Sequence, residues 1–329
     1  MDYSDWFLST ESPVKLSPLE SLVLNEKLLL KLAEEGFSPE YAPKLTSPYY
    51  PSEKILAWLD TVSQTPGYKL FKSVYRPRLH NLDKIPDTGA LLVSNHSSMF
   101  MADIAPIVLG LYEKSRRVVY SFVHKILKDS DFVKSVGGVV ADKTLATEIL
   151  AQNNLALVCP EGIEGACRSK LYAYNVMQVG GFSFNGMGYL KSAYRSKKPV
   201  IPIAIIGGEE NCLVLGNIKP EVEWFFNKLQ SRFNIKNYDL GRKSFGWIAG
   251  SKVIPFLVAP PLPVSIDAYV GDPIFVQDYV NENEHKFDYY RANLKVMGSL
   301  QDLIDKNLGN RLGLYKKLRK VSTFVDLMK

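Results

Sequence analysis

The feature that most constrains this chain is a change of grammar at about Asn81. From there the apolar runs at 90–94, 117–123, 138–141, 155–159 and 200–206 are short and rich in β-branched residues. Helical patterns separate them, at 102–112, 131–136, 144–152 and 181–195. Strands that are apolar throughout are buried on both faces, and strands alternating with helices form an α/β layer. The expected fold class is therefore α/β, a mostly parallel sheet flanked by helices, with an N-terminal helical preface and C-terminal helices.

The preface opens with S-P-L-E, in which Ser17 caps, Pro18 takes the first helical position and Glu20 completes a capping box. Leu22, Val23, Leu29, Leu30 and Ala33 follow at helical spacing, and Gly36 offers a stop. A proline-rich link leads to a second predicted helix over 53–62. The chain divides on this reading into an N-terminal helical region (1–80), an α/β core (81–275) and a tail of amphipathic and basic helices (276–329). The core carries a Pro/Gly/aromatic-rich insertion near 220–263. In the tail, Phe287, Tyr290, Leu294, Met297, Ile304 and Leu308 form one predicted apolar stripe.

With 329 residues, 46% of them apolar, the chain can bury a substantial core. The excess of 40 basic over 34 acidic residues is mild and does not argue for nucleic acid, which is not expected as a partner. Three cysteines without a C-x-x-C pair supply neither a closed disulfide framework nor a zinc or redox motif, and no metal site is expected. The acidic start M-D-Y-S-D-W lacks the apolar core of a signal peptide. The run at 245–263 comes nearest to a spanning helix, but it holds Lys252 and four prolines. No transmembrane span is expected.

Two strand ends carry chemistry-bearing residues. In N-H-S-S-M-F-M-A-D, His96 follows the first core strand and Asp103 comes seven positions later. On a continuous helix that spacing separates two residues by about 10.5 Å along the axis. A direct contact therefore requires a turn. The pair reads either as a general base with its orienting carboxylate or as a histidine satisfied at a strand end. In C-P-E-G, Glu161 projects from a turn that Gly162 allows; it is either a binding acid or an ordinary turn. The G-G block ending in Lys143 and the strand P-V-I-P-I-A-I are unspecific taken singly. G-F-S-F-N at 181–185 starts like a nucleophile elbow but lacks its last glycine and a preceding strand.

Taken together and in this order, these four blocks resemble the glycerolipid acyltransferase family, the PlsC-like, lysophospholipid-acyltransferase-like group. N-H-S-S-M-F-M-A-D and P-E-G-I-E-G are similar to a branch with six residues between histidine and aspartate, although Ser98 and Met101 stand where glycine and proline are usual. G-G-E-E at 207–210 also suits that branch. The resemblance implies acyl transfer from a thioester, acyl-CoA or acyl-ACP as co-substrate and no cofactor, to a glycerolipid hydroxyl without a covalent acyl-enzyme. It makes His96 the base and Asp103 its orienter, and assigns Glu161, Gly162, Lys143 and Arg168 to acceptor binding. Asn95, Ser97 and Gly165 become oxyanion or loop-shaping residues. Ile163, Glu164 and Gly165 replace the family's usual Thr-Arg-Ser, whose arginine meets an acceptor phosphate. Lys143 stands where arginine is usual. These departures favour a lysophospholipid or diacylglycerol over a phosphomonoester acceptor. A non-catalytic lipid binder and a transacylase drawing on phospholipid are the competing readings.

A lipid substrate implies a peripheral protein on the cytoplasmic side of a membrane. Trp224, Phe225, Phe226, Phe245, Trp247, Ile254, Phe256 and Leu257 supply interface-seeking side chains, or else core. Arg311, Lys316, Lys317, Arg319 and Lys320 supply cations for headgroups. The uncharged run at 171–189 suits either an acyl groove or plain core.

Overall fold

The β-branched runs pair into one seven-stranded sheet. The computed structural model describes residues 53–97, 103–123, 137–140, 143–166, 168, 172–176, 187–211, 214–217, 255–257, 262–281 and 286–318. The strands used below are β1 (Arg78–His80), β2 (Ala90–Ser94), β3 (Val119–Val123), β4 (Gly138–Val140), β5 (Leu155–Val158), β6 (Val200–Ile206), β7 (Val214–Asn217), β8 (Pro255–Leu257) and β9 (Asp267–Val270). The sheet runs β1-β9-β6-β2-β5-β3-β4, while β7 and β8 form a separate antiparallel pair. From β6 to β4 all neighbours are parallel; β9 runs antiparallel to β6, and β1 is parallel to β9. The mostly parallel sheet expected from the sequence is present.

The helices are α1 (Glu53–Gln64), α2 (Pro66–Tyr75), α3 (Ile104–Ser115), α4 (Lys143–Ala151), α5 (Gly162–Ala166), α6 (Gly188–Ser196), α7 (Gly208–Asn211) and α8 (Tyr289–Asn307). They cover both faces of the sheet. Leu91, Val93, Ala156, Val158, Ala204 and Ile206 point into a core with α4, α6 and α8. Their strand neighbours Leu92, Leu155, Leu157, Ile203 and Ile205 point the other way, onto α3. Every residue of β2, β5 and β6 is buried, which is why these runs read as unbroken apolar sequence. Each fully buried Val, Leu or Ile contributes about 1.5–3 kcal/mol.

Some boundaries differ from expectation. Helix α3 begins at Ile104 because Asp103 caps it. Strand β1 joins the sheet from within the region read as helical preface, and it docks on β9 through main-chain pairing that no local pattern announces. In α8 the buried residues are Ala292, Asn293, Val296, Met297, Leu300 and Ile304, whereas Tyr290 is 50% exposed. The helix packs against β6, and Ala292 rather than Tyr290 is buried in the shared core. The predicted helices at 17–36 and 131–136 lie outside the described residues. So do the side chains of the aromatic insertion and residues 181–185. Among the described residues no helix is long and apolar enough to cross a membrane.

Candidate active site

The adjacent central strands β5, β2 and β6 end at the same edge of the sheet, so the residues that follow them meet. His96 follows β2, Glu161 follows β5, and Glu209 follows β6. Asn95 sets the direction in which the chain leaves β2. Its Nδ2 donates to the Ile205 carbonyl at 3.0 Å, and its Oδ1 accepts the Ile205 N–H at 2.7 Å. The amide thus extends the β2–β6 ladder through a side chain, and His96 is held immediately beyond it.

His96 Nδ1 lies 2.8 Å from Asp103 Oδ2. Asp103 is fully buried at the N-terminus of α3, where its Oδ1 accepts the Ile104 N–H at 2.9 Å. Its Oδ2 also accepts the Ser97 N–H at 2.6 Å. The helix terminus favours the ionised carboxylate, and the carboxylate in turn keeps the imidazole proton on Nδ1. Nε2 is left with its lone pair on a side chain that is 21% exposed. Burial pulls the imidazole pKa down, but the charge and hydrogen bond of Asp103 outweigh it, and the net shift is upward.

Behind the imidazole lies a buried ion-pair group. Glu161 Oε2 accepts the His96 N–H at 2.8 Å, and Glu161 Oε1 pairs with Arg168 Nη2. The same guanidinium group donates from Nη2 to the His96 carbonyl at 3.0 Å and from Nε to the Gly165 carbonyl at 3.1 Å. It also pairs through Nε with Glu209 Oε1 at 3.1 Å, and that oxygen accepts the Tyr174 N–H. Burial raises the Glu161 carboxyl above its usual range, and Arg168 and the His96 N–H pull it partway back. Both main-chain groups of His96 are thus held by side chains that are themselves paired.

Two glycines permit this closeness. A Cβ at Gly165 would stand 2.7 Å from Glu161 Cβ and 3.0 Å from the His96 carbonyl, so the second glycine of P-E-G-I-E-G is a steric requirement. A Cβ at Gly208 would meet Ser97 Oγ at 2.0 Å. Gly165→Ala is expected to cost about 1–3 kcal/mol from overpacking and to shift the backbone of His96. Denaturant unfolding and activity should fall together; a variant as stable and active as the parent would remove this packing argument.

The structure therefore brings together His96, Asp103, Glu161, Gly162, Gly165, Asn95, Ser97 and Arg168. Arg168 and Glu161, which the resemblance assigns to acceptor binding, have their polar atoms engaged by protein partners and brace the main chain of His96. Gly162 carries the turn, with φ 56° and its N–H on the Cys159 carbonyl. The N–H groups of Ser97 and Gly165 donate to Asp103 and to the Glu161 carbonyl, which makes both residues, with Asn95, loop-shaping. Lys143 opens α4, but its side chain, like that of Glu164, lies outside the described residues. Glu209 and Tyr174 belong to the group without having been singled out individually; the G-G-E-E quartet was the only signal of the former. No cluster of metal-ligating side chains occurs among the described residues.

A parallel α/β domain that presents a histidine–aspartate pair at its strand ends is the class defined by fold and site. Residues 76–206 match the family model described as Acyltransferase. An uncharacterized protein of Mycobacterium leprae is 28% identical over 257 residues, 74% of this chain and 64% of its own length. An uncharacterized protein of Mycobacterium tuberculosis is 27% identical over 156 residues, 45% of this chain and 42% of its own. The chain thus spans less than two thirds of either relative. A Gallus gallus protein named "DGAT1/2-independent enzyme synthesizing storage lipids" is 23% identical over 232 residues, 70% of this chain and 59% of its own length. The crystal structure of the 1-acyl-sn-glycerophosphate (LPA) acyltransferase PlsC from Thermotoga maritima aligns with a TM-score of 0.41 and 18% identity. It covers 87% of this chain and 97% of its own.

Proposed function

We propose that this protein transfers a fatty acyl group from an acyl thioester to a hydroxyl of a glycerolipid, with His96 as general base. The observation that carries this reading is the 2.8 Å contact between His96 Nδ1 and Asp103, which leaves Nε2 free to take a proton. Nε2 removes the acceptor hydroxyl proton as that oxygen attacks the thioester carbonyl. The tetrahedral intermediate collapses with loss of the thiolate, and the imidazolium returns the proton to sulfur. The new ester C–O bond replaces the C–S bond, and His96 ends neutral.

The acceptor in this reading is a lysophospholipid or diacylglycerol. Two points support it: Arg168 is spent internally, and the chicken relative is named for storage-lipid synthesis. The protein would meet its acceptor at the cytoplasmic surface of a membrane, where exposed Leu314, Lys316 and Lys317 offer an apolar and cationic contact. The test is an acceptor panel of glycerol phosphate, lysophosphatidate, lysophosphatidylcholine and diacylglycerol with one labelled acyl thioester. Ester formed on the last two supports the reading. Lipid retained without ester makes the protein a binder, and ester formed without any thioester makes it a transacylase.

The pH profile follows from the site. A base must be neutral, so the rate should climb with pH as His96 loses its proton. Because Asp103 outweighs burial, the midpoint of kcat/KM is expected above the ordinary histidine value of about 6.5. Stability runs the other way. The contribution of protonated His96 is fully present below about pH 6.5 and is lost as pH rises through the raised pKa. An acid limb centred at or below 6.5 would contradict the arrangement.

A further inference from the structure

A second polar site lies at the edge of the sheet. Where α2 runs into β1, an open pocket of about 450 Å³ is lined by Lys72, Arg76, Pro77, Arg78 and Ser265. Three of the five lining side chains are cationic and none is acidic. Lys72 is held by Glu113 at 3.1 Å, and Arg78 forks onto Asp267 through Nε and Nη2, both at 2.7 Å. These pairs orient the two side chains and leave donors to spare. Among the described residues, the exposed guanidinium of Arg76 and the Nη1 of Arg78 have no hydrogen-bond acceptor. A concave cluster of guanidinium and ammonium donors is suited to the oxygens of a phosphate ester.

Position narrows the ligand. Arg78 is in register with Asp267, and Asp267 faces Ile206 at the carboxyl end of β6. The pocket therefore stands at the same end of the sheet as His96. Strand β1 lies three strands from β2, which places it roughly 14 Å away at the usual strand spacing. In a glycerol phosphate the reacting hydroxyl is only about four bonds from phosphorus, at most ~6 Å. The acceptor's own phosphate cannot reach from His96 to this pocket. In a thioester carried on phosphopantetheine, sulfur lies about a dozen bonds from the nearest phosphorus, roughly 15 Å when extended. That length matches.

We infer that the Lys72–Arg76–Arg78 pocket holds a phosphate of a soluble nucleotide-type acyl donor, an acyl-coenzyme A, while its thioester reaches His96. This rests on the thioester reading of the reaction, so the test separates the two. Calorimetric titration with coenzyme A needs no turnover, and KM is compared for palmitoyl-coenzyme A and palmitoyl-pantetheine, which has no phosphate. Arg76→Glu is expected to weaken coenzyme A binding and to raise KM for palmitoyl-coenzyme A by about tenfold or more, with the rise confined to the phosphate-bearing thioester. Lys295→Glu, the same charge change on an exposed position of α8, should alter neither. Unchanged coenzyme A affinity in R76E, or an equal rise in KM for both thioesters, overturns the inference. So does a variant that keeps coenzyme A but loses only its binding to phosphatidylglycerol vesicles, which would make the pocket a headgroup contact. Coenzyme A binding that depends on Arg76, without ester from any acceptor, would uphold the pocket and refute the proposed reaction.

Discussion

Replacing His96 with alanine is expected to lower acyl transfer by about 10³-fold or more, within the span attributed to a positioned general base, while the protein stays folded. The two halves of this expectation have separate causes. The imidazole is the only group of His96 that meets the exterior, so its loss leaves the acceptor hydroxyl without a proton acceptor. The main-chain N–H of residue 96 still donates to Glu161, and its carbonyl still accepts from Arg168, because both contacts are made by backbone atoms that alanine retains. Asp103 loses one partner but keeps the N–H groups of Ser97 and Ile104. The expected stability change is therefore only about 1 kcal/mol. Transfer assays and denaturant unfolding on the same preparation check both halves. Near-parental turnover by the variant would end the general-base reading.

Arg168→Met acts on the other side of the same histidine, and its first effect is on stability. The guanidinium is almost fully buried between Glu161 and Glu209, both buried as well. Removing it takes the paired guanidinium away from two buried carboxylates, a change that costs about 3–5 kcal/mol when a buried pair is broken. The loss should shrink as pH falls. Burial already raises the Glu161 carboxyl, and without Arg168 nothing of comparable strength opposes protonation. The combination R168M/E161Q/E209Q removes both carboxylate charges together with the guanidinium and should recover most of the stability. A loss below about 1 kcal/mol for R168M at neutral pH, or no recovery in the triple variant, would show that the group is not the buried brace described here.

Legibility varied with how local the signal was. The runs at 90–94 and 200–206 coincide with β2 and β6, because burial on both faces demands apolar residues at every position and so writes itself into contiguous sequence. The histidine–aspartate pair was readable as a spacing, with its contact conditional on a turn. The contact is made, and the turn it needs places Asp103 as the cap of α3. The pairing of Arg168 was not legible, for the opposite reason. Besides the nearby carbonyls of Gly165 and Asn175, its partners stand 7, 41 and 72 positions away, on segments that follow three different strands, and nothing in the local run G-A-C-R marks a guanidinium as inward-facing. The stripe in α8 failed at Tyr290 on similar grounds, since which face of a helix is covered is set by the partner surface.

What the sequence determined alone was the alternation of strands and helices, the order of its chemical blocks and the need for glycine at the turns, because each follows from short-range sterics and burial. Which side chains face substrate and which support them was decided only when β5, β2 and β6 came to lie side by side. Charge pairing between distant segments depends on the order of strands in the sheet, and that order is a property of the assembled core.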